Sequence, residues 1–386
     1  MRLREKNAPS TALRRKVATP LVCLTLWGLA CGREPVTEED LQPDVAFNWT
    51  RRDHVRAFYS GHSLSDGIPE AASEIAQSLG GRLEFEFQSI GYSLLRERTR
   101  GPDPSASGWD GYKQGKNRSG EGLDVASELR HPTRLAGGGV YDALVVTERH
   151  DLPDIAVGER SAEYLAHMAT QALSGNPHAD VFFYHTWLEI DVAAPQAWIR
   201  YERRAQRMWE CVASRANREL VEQSSPGSPR IRVLPGALVL AELVEALFRG
   251  EVPGVALSSP RERVRLLFAD QVHLSPLGKY FMGLVHYAIL FGKSPVGAAR
   301  PPGLSDEANA FMQDLAQREV LAYAKVANAA AQRDMEACRA FAEGEMCEAY
   351  HAFRAGRSWF GSLRRWLPTR RCRADYAKGS PTNPFR

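Results

Sequence analysis

The sequence predicts an α/β fold in which helices cover both faces of a mainly parallel β-sheet. Short segments rich in β-branched and aromatic residues alternate along the chain with longer segments whose apolar residues recur at helical spacing. The length of 386 residues and the composition, 44% hydrophobic and 25% charged, suit one large globular domain with a small appendage. In such folds, the functional residues lie in the loops that follow the carboxyl ends of the strands.

Nine segments carry the periodicity of regular structure. The strand pattern occurs at 55–60, 83–89, 142–147, 180–185 and 230–234. The helical pattern occurs at 69–79, 161–173, 195–220 and 237–248. Residues 96–130 are polar and rich in glycine, so we expect a long loop there that overhangs the functional site. After residue 300 we expect a helical extension with a basic tail, whose role as a lid, a dimer surface or packing alone stays open.

The first thirty residues have the features of a secretory signal peptide. Six of the 49 basic residues but only one of the 46 acidic residues lie there, followed by an apolar core too short to anchor stably in a bilayer. Cys31 follows Gly28-Leu29-Ala30, which resembles a bacterial lipobox, although Gly28 stands where that motif prefers Leu. The resemblance implies acylation of Cys31 and anchoring of the protein to the membrane of the cell envelope, with plain secretion after Ala30 as the alternative. Residues 31–50 are then a linker.

The rest of the chain is close to neutral, which gives no support for nucleic acid as a partner. The exception is the segment from residue 351 on, which holds nine basic residues and one Asp among several aromatic residues. A solvated basic face is one interpretation of this tail. Contact with anionic lipid headgroups or polysaccharide is the other.

The cysteines fit an oxidising compartment. Once Cys23 has left with the signal peptide and Cys31 carries lipid, four cysteines remain, an even number suited to disulfides: Cys211, Cys338, Cys347 and Cys372. We expect at least one disulfide near the C-terminus, with the pairing open and free buried thiols as the alternative. There is no Cys-x-x-Cys pair or His cluster at ligand spacing, so we predict neither a metal site nor a cofactor.

Two distant segments carry the residue types of a nucleophile and its base. The segment FYSGHSL, 58–64, is a strand end followed by a glycine-containing turn that exposes Ser63. The segment DQVHLSPLG, 270–278, places Asp270 three residues before His273 on a short turn closed by Pro and Gly. A Ser, a His and an Asp together are the constellation for acyl transfer through a covalent ester intermediate.

These two segments resemble the SGNH (GDSL-like) hydrolase superfamily over roughly residues 51–300. His62 stands where the family usually has the Asp of Gly-Asp-Ser-Leu, a residue that is not the nucleophile. The resemblance implies a three-layer α/β/α flavodoxin-like fold and a serine esterase with the catalytic residues Ser63, His273 and Asp270. In those roles Ser63 attacks an ester carbonyl, His273 accepts and returns the proton, and Asp270 holds the imidazole tautomer.

The resemblance also implies donors for the oxyanion. They are the backbone N–H groups of Ser63 and Gly91 and, in the family, an Asn after the central strand. The corresponding segment, 147–150, has no Asn, so Thr147, Arg149 or His150 must substitute or the activity is weak. Glu148 in the same segment is alternatively a structural carboxylate that pairs with an arginine.

Polar and aromatic groups also follow the fourth predicted strand. His185 and Trp187 are candidates for substrate binding, with packing in the core as the alternative. The expected substrate is a carboxylic ester, either a small molecule or a carbohydrate that carries an acyl or acetyl group.

Three other functions compete with a serine esterase. A catalytically weak or inactive binding lipoprotein of the same fold is one, because the Asn is missing. An α/β-hydrolase also has the chain order Ser, Asp, His, but its G-x-S-x-G elbow does not match because Ser65 replaces the second Gly. Metal-dependent hydrolysis through Glu148, His150 and His185 has no recognisable ligand pattern.

Overall fold

Five strands form one parallel sheet in the order β2-β1-β3-β4-β5. The structure is a computed structural model that describes residues 51–105, 107–223, 230–355 and 361–386. The predicted signal peptide, the linker and Cys31 lie outside these residues. The strands are β1 (His54–Gly61), β2 (Arg82–Ser89), β3 (Ala143–Thr147), β4 (Asp180–Tyr184) and β5 (Ile231–Leu234). All five agree with the predicted segments, with small differences at their ends.

Thirteen α-helices belong to the described residues. Their bounds are α1 Ile68–Ser78, α2 Leu95–Thr99, α3 Val125–Arg130, α4 Leu152–Gly158, α5 Ser161–Gly175, α6 Gln196–Gln223, α7 Gly236–Arg249, α8 Pro260–Arg265, α9 Pro276–Phe291, α10 Asp306–Ala330, α11 Met335–Phe341, α12 Cys347–Ala355 and α13 Gly361–Tyr376. A π-helical turn, Ala342–Met346, joins α11 to α12.

The two faces of the sheet carry two apolar clusters, which makes the fold three-layered. Successive side chains of a strand point to opposite faces, and β1 places Tyr59 in one cluster and Phe58 in the other. Helices α1, α7, α9 and α10 contribute to the Tyr59 side, while α3 and α5 contribute to the Phe58 side. The predicted α/β fold with helices on both faces and a helical C-terminal part is confirmed.

The prediction of a long loop at 96–130 is wrong. Two short helices, α2 and α3, and a 3₁₀ turn, Asp110–Lys113, lie within or overlap this segment. A few apolar side chains in this polar segment, or directly before it, pack against the sheet and α5: Leu95, Tyr112, Val125 and Leu129. These side chains stabilise the folded conformation of the segment, because the burial of each removes apolar surface area from water.

The strand order creates a crevice at one edge of the sheet. The chain passes from β1 to β2 on one side and then crosses to β3 on the other side of β1. Ligands of open α/β sheets bind outside the carboxyl ends of the strands at such a reversal. The segments after β1, β2 and β3, which hold Ser63, Gly91 and Arg149, all start at this point.

Two disulfides join the C-terminal helices to the rest of the fold. Cys211 of α6 pairs with Cys338 of α11, and Cys347 of α12 pairs with Cys372 of α13, with Cα–Cα distances of 5.6 and 5.7 Å. The prediction of a C-terminal disulfide is confirmed, and the pairs indicate an oxidising compartment outside the cytoplasm. Among the helices of the described residues, none is both long and apolar enough to cross a bilayer.

Candidate active site

Ser63 opens a short turn at the carboxyl end of β1. The strand ends at Gly61, and a 3₁₀ turn, Ser63–Ser65, begins at once, with the Ser65 N–H donating to His62 O at 2.8 Å. A Cβ on Gly61 would lie only 2.4 Å from Ser65 Oγ. A larger residue at this position would therefore have to displace the Ser65 side chain.

Asp270 and His273 lie on a turn that backbone hydrogen bonds close from both ends. The Ala269 N–H donates to His273 O at 2.8 Å, and the Ser275 N–H donates to Leu267 O at 2.9 Å. Ser275 then caps α9 by accepting from the Gly278 N–H at 3.2 Å. A Cβ on Gly278 would lie 2.3 Å from Leu267 O, so only glycine permits this close approach. The sequence DQVHLSPLG thus encodes the turn and the start of α9 together.

The structure brings the three predicted catalytic side chains together. His273 Nε2 lies 3.0 Å from Ser63 Oγ, although 210 positions separate the two residues. His273 Nδ1 lies 2.7 Å from Asp270 Oδ2. Since a carboxylate accepts, Nδ1 carries the proton, and Nε2 is left to accept from the Ser63 hydroxyl.

The Asp270 carboxylate is held in its ionised form. Desolvation acts to raise its pKa, but the backbone N–H groups of His273 and Val272, each 2.7 Å from Oδ1, and the His273 side chain outweigh it. The result is a pKa of about 2 for Asp270. Both side chains reach solvent, with 45% of His273 and 56% of Asp270 exposed. The orienting carboxylate is therefore charged, and both it and the base are accessible to a substrate, as acyl transfer requires.

Two backbone N–H groups beside Ser63 are free to donate. The amide groups of Ser63 and Gly91 have no acceptor among the described residues, while the neighbouring Ile90 N–H donates to Gly61 O at 3.1 Å and fixes the turn. Nothing would lie within 4 Å of a Cβ on Gly91. This openness leaves the Gly91 amide accessible to a ligand next to the nucleophile.

Of the side chains proposed as a third donor, Arg149 lies beside Tyr92, and the His150 ring lies 6.3 Å from the ring of His62. The guanidinium Cζ of Arg149 lies 4.7 Å from the ring centre of Tyr92, the residue after Gly91. A bidentate pair with Asp151, at 2.8 and 3.0 Å, holds it in place. Thr147 is not brought to the site, because it is buried and its hydroxyl donates to Tyr184 O at 2.8 Å. His150 is half-buried, and its Nδ1 has no partner within the described structure.

Glu148 is a buried structural carboxylate. It accepts from the Leu95 N–H at 2.8 Å and from the Ser161 hydroxyl at 2.7 Å, and so fastens the starts of α2 and α5 to the end of β3. Burial raises the pKa of Glu148, and the nearby charge of Arg98 lowers it in part. Arg98 itself is fully buried and donates to Ser93 and to Thr147 O.

His62 joins this buried group from the other side. The Leu64 N–H donates to His62 Nδ1 at 3.4 Å, so Nε2 carries the proton and donates to Glu148 O at 3.2 Å. Burial, followed by the charge of Arg98, lowers the pKa of His62 to about 3. His62 is therefore neutral and already bonded at both nitrogens, and it offers no alternative base for Ser63.

His185 and Trp187 are not at the site, which corrects the prediction that they bind substrate. Both are fully buried. His185 Nδ1 donates to Gln206 Oε1 at 2.8 Å, and its Nε2 lies 3.4 Å from Glu202 on the same helix, α6. Burial lowers the pKa of His185 to about 3.

Trp187 instead holds the turn that carries Asp270 and His273. Its indole N–H donates to Val272 O at 2.7 Å, and the nearby Ile190 N–H donates to Gln271 O at 2.8 Å. These bonds tie the backbone between Asp270 and His273 to the segment after β4. Sequence reasoning missed this role, because an indole that bonds one distant carbonyl leaves no pattern in the sequence.

A cavity of 250 Å³ lies beside the nucleophile turn. Gly61 and Ser65, on either side of Ser63 in the chain, line it together with a mixture of aromatic and polar side chains that includes Tyr59, Asp66, Glu70, Phe87 and Ser89. Its volume lies below the range of about 300–1,000 Å³ that is typical of sites for drug-sized ligands. The cavity suits a small group.

The alternative of metal-dependent hydrolysis has no support in the described residues, among which no three His, Cys, Asp or Glu side chains are close enough together to bind one ion. Glu148 and His185 have the separate partners given above.

Comparisons with known proteins give no family. No protein-family model matches the chain, and no curated protein matches it. Among solved structures, it is similar to a crystal structure of a DUF4886 family protein from Bacteroides uniformis, with a TM-score of 0.45 and 14% identity. The match covers 71% of this chain and 98% of that chain. A similarity at this level carries no argument about function.

The buried His62 makes a prediction about acid stability. In the unfolded chain His62 takes up a proton below about pH 6.5, whereas in the folded protein it stays neutral until far lower pH, so folding loses free energy as the pH falls through this window. At about 1.4 kcal/mol per pH unit, the loss from His62 between pH 6.5 and 5 is about 2 kcal/mol. In His62→Asn, the difference in unfolding free energy between about pH 7 and pH 5, measured by urea denaturation, should shrink by about this amount.

The exposed histidine variant His131→Asn is the matched control and should keep the wild-type pH dependence. An equal pH dependence in His62→Asn and wild type would mean that His62 is protonated in the folded protein.

Proposed function

We propose that this chain is a serine esterase of the SGNH (GDSL-like) type that hydrolyses a carboxylic ester. The observation that carries the proposal is the continuous chain of contacts from Asp270 through His273 to Ser63, at 2.7 and 3.0 Å. A nucleophile bonded to a base that a third group orients is the signature of nucleophilic catalysis. The parallel sheet, and the position of these groups at its carboxyl edge, are also what that superfamily leads one to expect.

The residues have complementary roles in the proposed reaction. Ser63 Oγ attacks the ester carbonyl while its proton moves to His273 Nε2, and the Ser63 and Gly91 amides donate to the oxyanion. Cleavage of the ester C–O bond releases the alcohol, which takes the proton from His273. Water then attacks the acyl-Ser63 ester, with His273 as its base, and the proton returns to Ser63 as the acid leaves.

The cavity that Gly61 and Ser65 line is our candidate for the place of a small acyl group, such as acetyl, although Ser63 and His273 are not among its lining residues. Its volume of 250 Å³ and its partly polar lining do not suit a long fatty acyl chain. The alcohol part then faces the open side of the site, where His273 and Asp270 are exposed, and a carbohydrate ester is one candidate.

A catalytically weak or inactive binding lipoprotein is the second candidate. The observation that favours it is the lack of a side-chain amide at 147–150, together with the burial of Thr147. One missing donor in an oxyanion hole costs about 10²–10³ in kcat. Slow turnover with intact covalent labelling of Ser63 would indicate a weak enzyme, whereas no labelling would indicate a binding protein.

We also propose that the protein is a lipoprotein of the cell envelope, anchored through Cys31. Support comes from the apolar segment and the small residues before Cys31 and from the two disulfides, which require export. Labelled palmitate should enter the wild-type chain and not Cys31→Ser. Equal labelling of both chains would exclude Cys31 as the acylated residue, and labelling of neither would favour plain secretion.

Labelling with a fluorophosphonate tests the nucleophile. Ser63→Ala and His273→Ala should each lose labelling and hydrolysis of p-nitrophenyl acetate, because nucleophile and base act as one unit. Asp270→Asn should lower hydrolysis less completely, since some imidazole keeps the correct tautomer. The matched control is Ser65→Ala, which removes the other hydroxyl of the same turn and should still be labelled. Undiminished labelling of Ser63→Ala would refute the assignment.

Substitution of Arg149 tests the third oxyanion donor. Arg149→Ala should lower kcat by about tenfold to a hundredfold with KM little changed, because a bond to the oxyanion acts only after negative charge has developed. Arg149→Lys should recover part of the loss, since it keeps the charge but not the bidentate geometry. Steady-state kinetics on p-nitrophenyl acetate give both constants. If kcat is unchanged in Arg149→Ala, the Ser63 and Gly91 amides alone form the hole.

A further inference from the structure

Helix α13 exposes an apolar and basic surface that the proposed esterase site does not use. We define the α13 surface by Trp366, Leu367, Arg370 and Arg371. Trp366 is 57% exposed and Leu367 is 66% exposed, and few other large apolar side chains of the described residues are exposed to this degree. A folded protein normally covers an adjacent Trp and Leu of this kind unless they meet a partner.

The geometry of the helix places this surface away from the protein. At about 100° per residue, the four side chains fall within an arc of about 140°. The buried residues Thr369, Cys372 and Tyr376 lie on the opposite side of the same helix. The exposed face of α13, which mixes apolar and basic side chains, is therefore separate from the buried face that attaches the helix to the fold.

Covalent and polar contacts hold α13 in this orientation. The disulfide between Cys347 and Cys372 ties it to α12. At its end, the Tyr376 hydroxyl donates to Pro153 O at 2.6 Å, which fixes it to α4. Because the helix is attached along its buried face, Trp366 and Leu367 cannot be covered by a small rearrangement of α13.

The charge of the surface is not neutralised by the protein. Glu348 lies within ion-pair distance of Arg365 and Arg373, at 3.8 and 3.3 Å. Arg370 and Arg371 have no carboxylate within ion-pair distance among the described residues, and Arg370 Cζ instead lies 5.5 Å from the Trp366 ring. From residue 351 on, the sequence holds nine basic residues and one acidic residue. The partner that complements this surface is an anion.

We propose that the α13 surface docks on the anionic lipid headgroups of a bilayer. Trp366 and Leu367 would enter the boundary between headgroups and acyl chains, while Arg370 and Arg371 contact the phosphates. The exposed Leu367 favours lipid over an anionic polysaccharide, because a polysaccharide offers phosphate-like or carboxylate charge but no apolar layer for an aliphatic side chain. This proposal does not depend on the esterase activity.

Vesicle co-sedimentation tests the docking. The full chain carrying Cys31→Ser, which removes the predicted lipid anchor, is mixed with vesicles of equal parts phosphatidylcholine and phosphatidylglycerol, or with phosphatidylcholine alone. We expect binding to the anionic vesicles that weakens with added salt. In the same background, Arg370→Gln/Arg371→Gln should weaken binding about 30-fold, at about fivefold for each arginine. Trp366→Ser/Leu367→Ser should also weaken it clearly.

The control removes two exposed arginines from another helix, Arg200→Gln/Arg204→Gln on α6, and should bind like the parent chain. Circular dichroism and thiol titration verify that each variant is folded with both disulfides intact. Binding that is equal in all variants overturns the proposal. The proposal is also overturned if Trp366→Ser/Leu367→Ser binds vesicles as the parent chain does and both chains are retained on immobilised polygalacturonate. That result would mean that the α13 surface binds polyanions in general.

Discussion

The arrangement of the candidate site depends on the backbone of one turn, residues 269–275. Because 45% of the His273 side chain is exposed, packing around that side chain is only part of what holds it against Ser63. The turn is instead fixed by backbone hydrogen bonds at both its ends and by the indole of Trp187 at Val272 O. It leads directly into α9, which is buried over most of its length against the sheet and against α1. The burial of this apolar helix is the large stabilising contribution, and the close approach at Gly278 fixes the turn that carries Asp270 and His273 against it. Precise placement of a base matters because small displacements cost large factors in rate.

His62, which precedes Ser63, and Glu148, which follows β3, are parts of one buried network. In the structure, the His62 ring donates to the backbone of Glu148, whose carboxylate accepts from Leu95 and Ser161. Glu148 after β3 thus holds α2 and α5 in place through its carboxylate. Its backbone carbonyl accepts a hydrogen bond from His62, the residue before Ser63. A buried polar network of this kind is stable only when its members are satisfied together. The positions of His62 and Glu148 therefore depend on each other through this network.

The strands, the contact of Ser63 with His273 and the presence of disulfides could be predicted from the sequence, because each of these depends on a local pattern or a residue type. The burial of His185 and Trp187 could not be predicted. Both follow a strand at the functional edge, but they are covered by contacts with α6 and with the 269–275 turn, which are far away in the sequence. The prediction for the segment 96–130 was wrong for a related reason. Its composition is that of a loop, yet a few apolar side chains and the distant carboxylate of Glu148 suffice to order α2 and α3. Tertiary contacts override local propensity wherever burial is decided by another part of the chain.

The C-terminal helices contribute none of the residues that line the cavity beside the Ser63–Ser65 turn, all of which precede residue 90. The two disulfides instead connect α6 to α11 and α12 to α13, so that the fold and the last helix form one linked unit. The Tyr376 hydroxyl then joins α13 to Pro153, four residues after Arg149 in the segment that borders the site. A helix that meets a bilayer transmits its orientation to whatever is attached rigidly to it. If α13 lies on the headgroups, it gives the protein a second point of attachment besides the proposed lipid on Cys31, and the edge that holds Arg149 and Ser63 then takes a set orientation to the membrane.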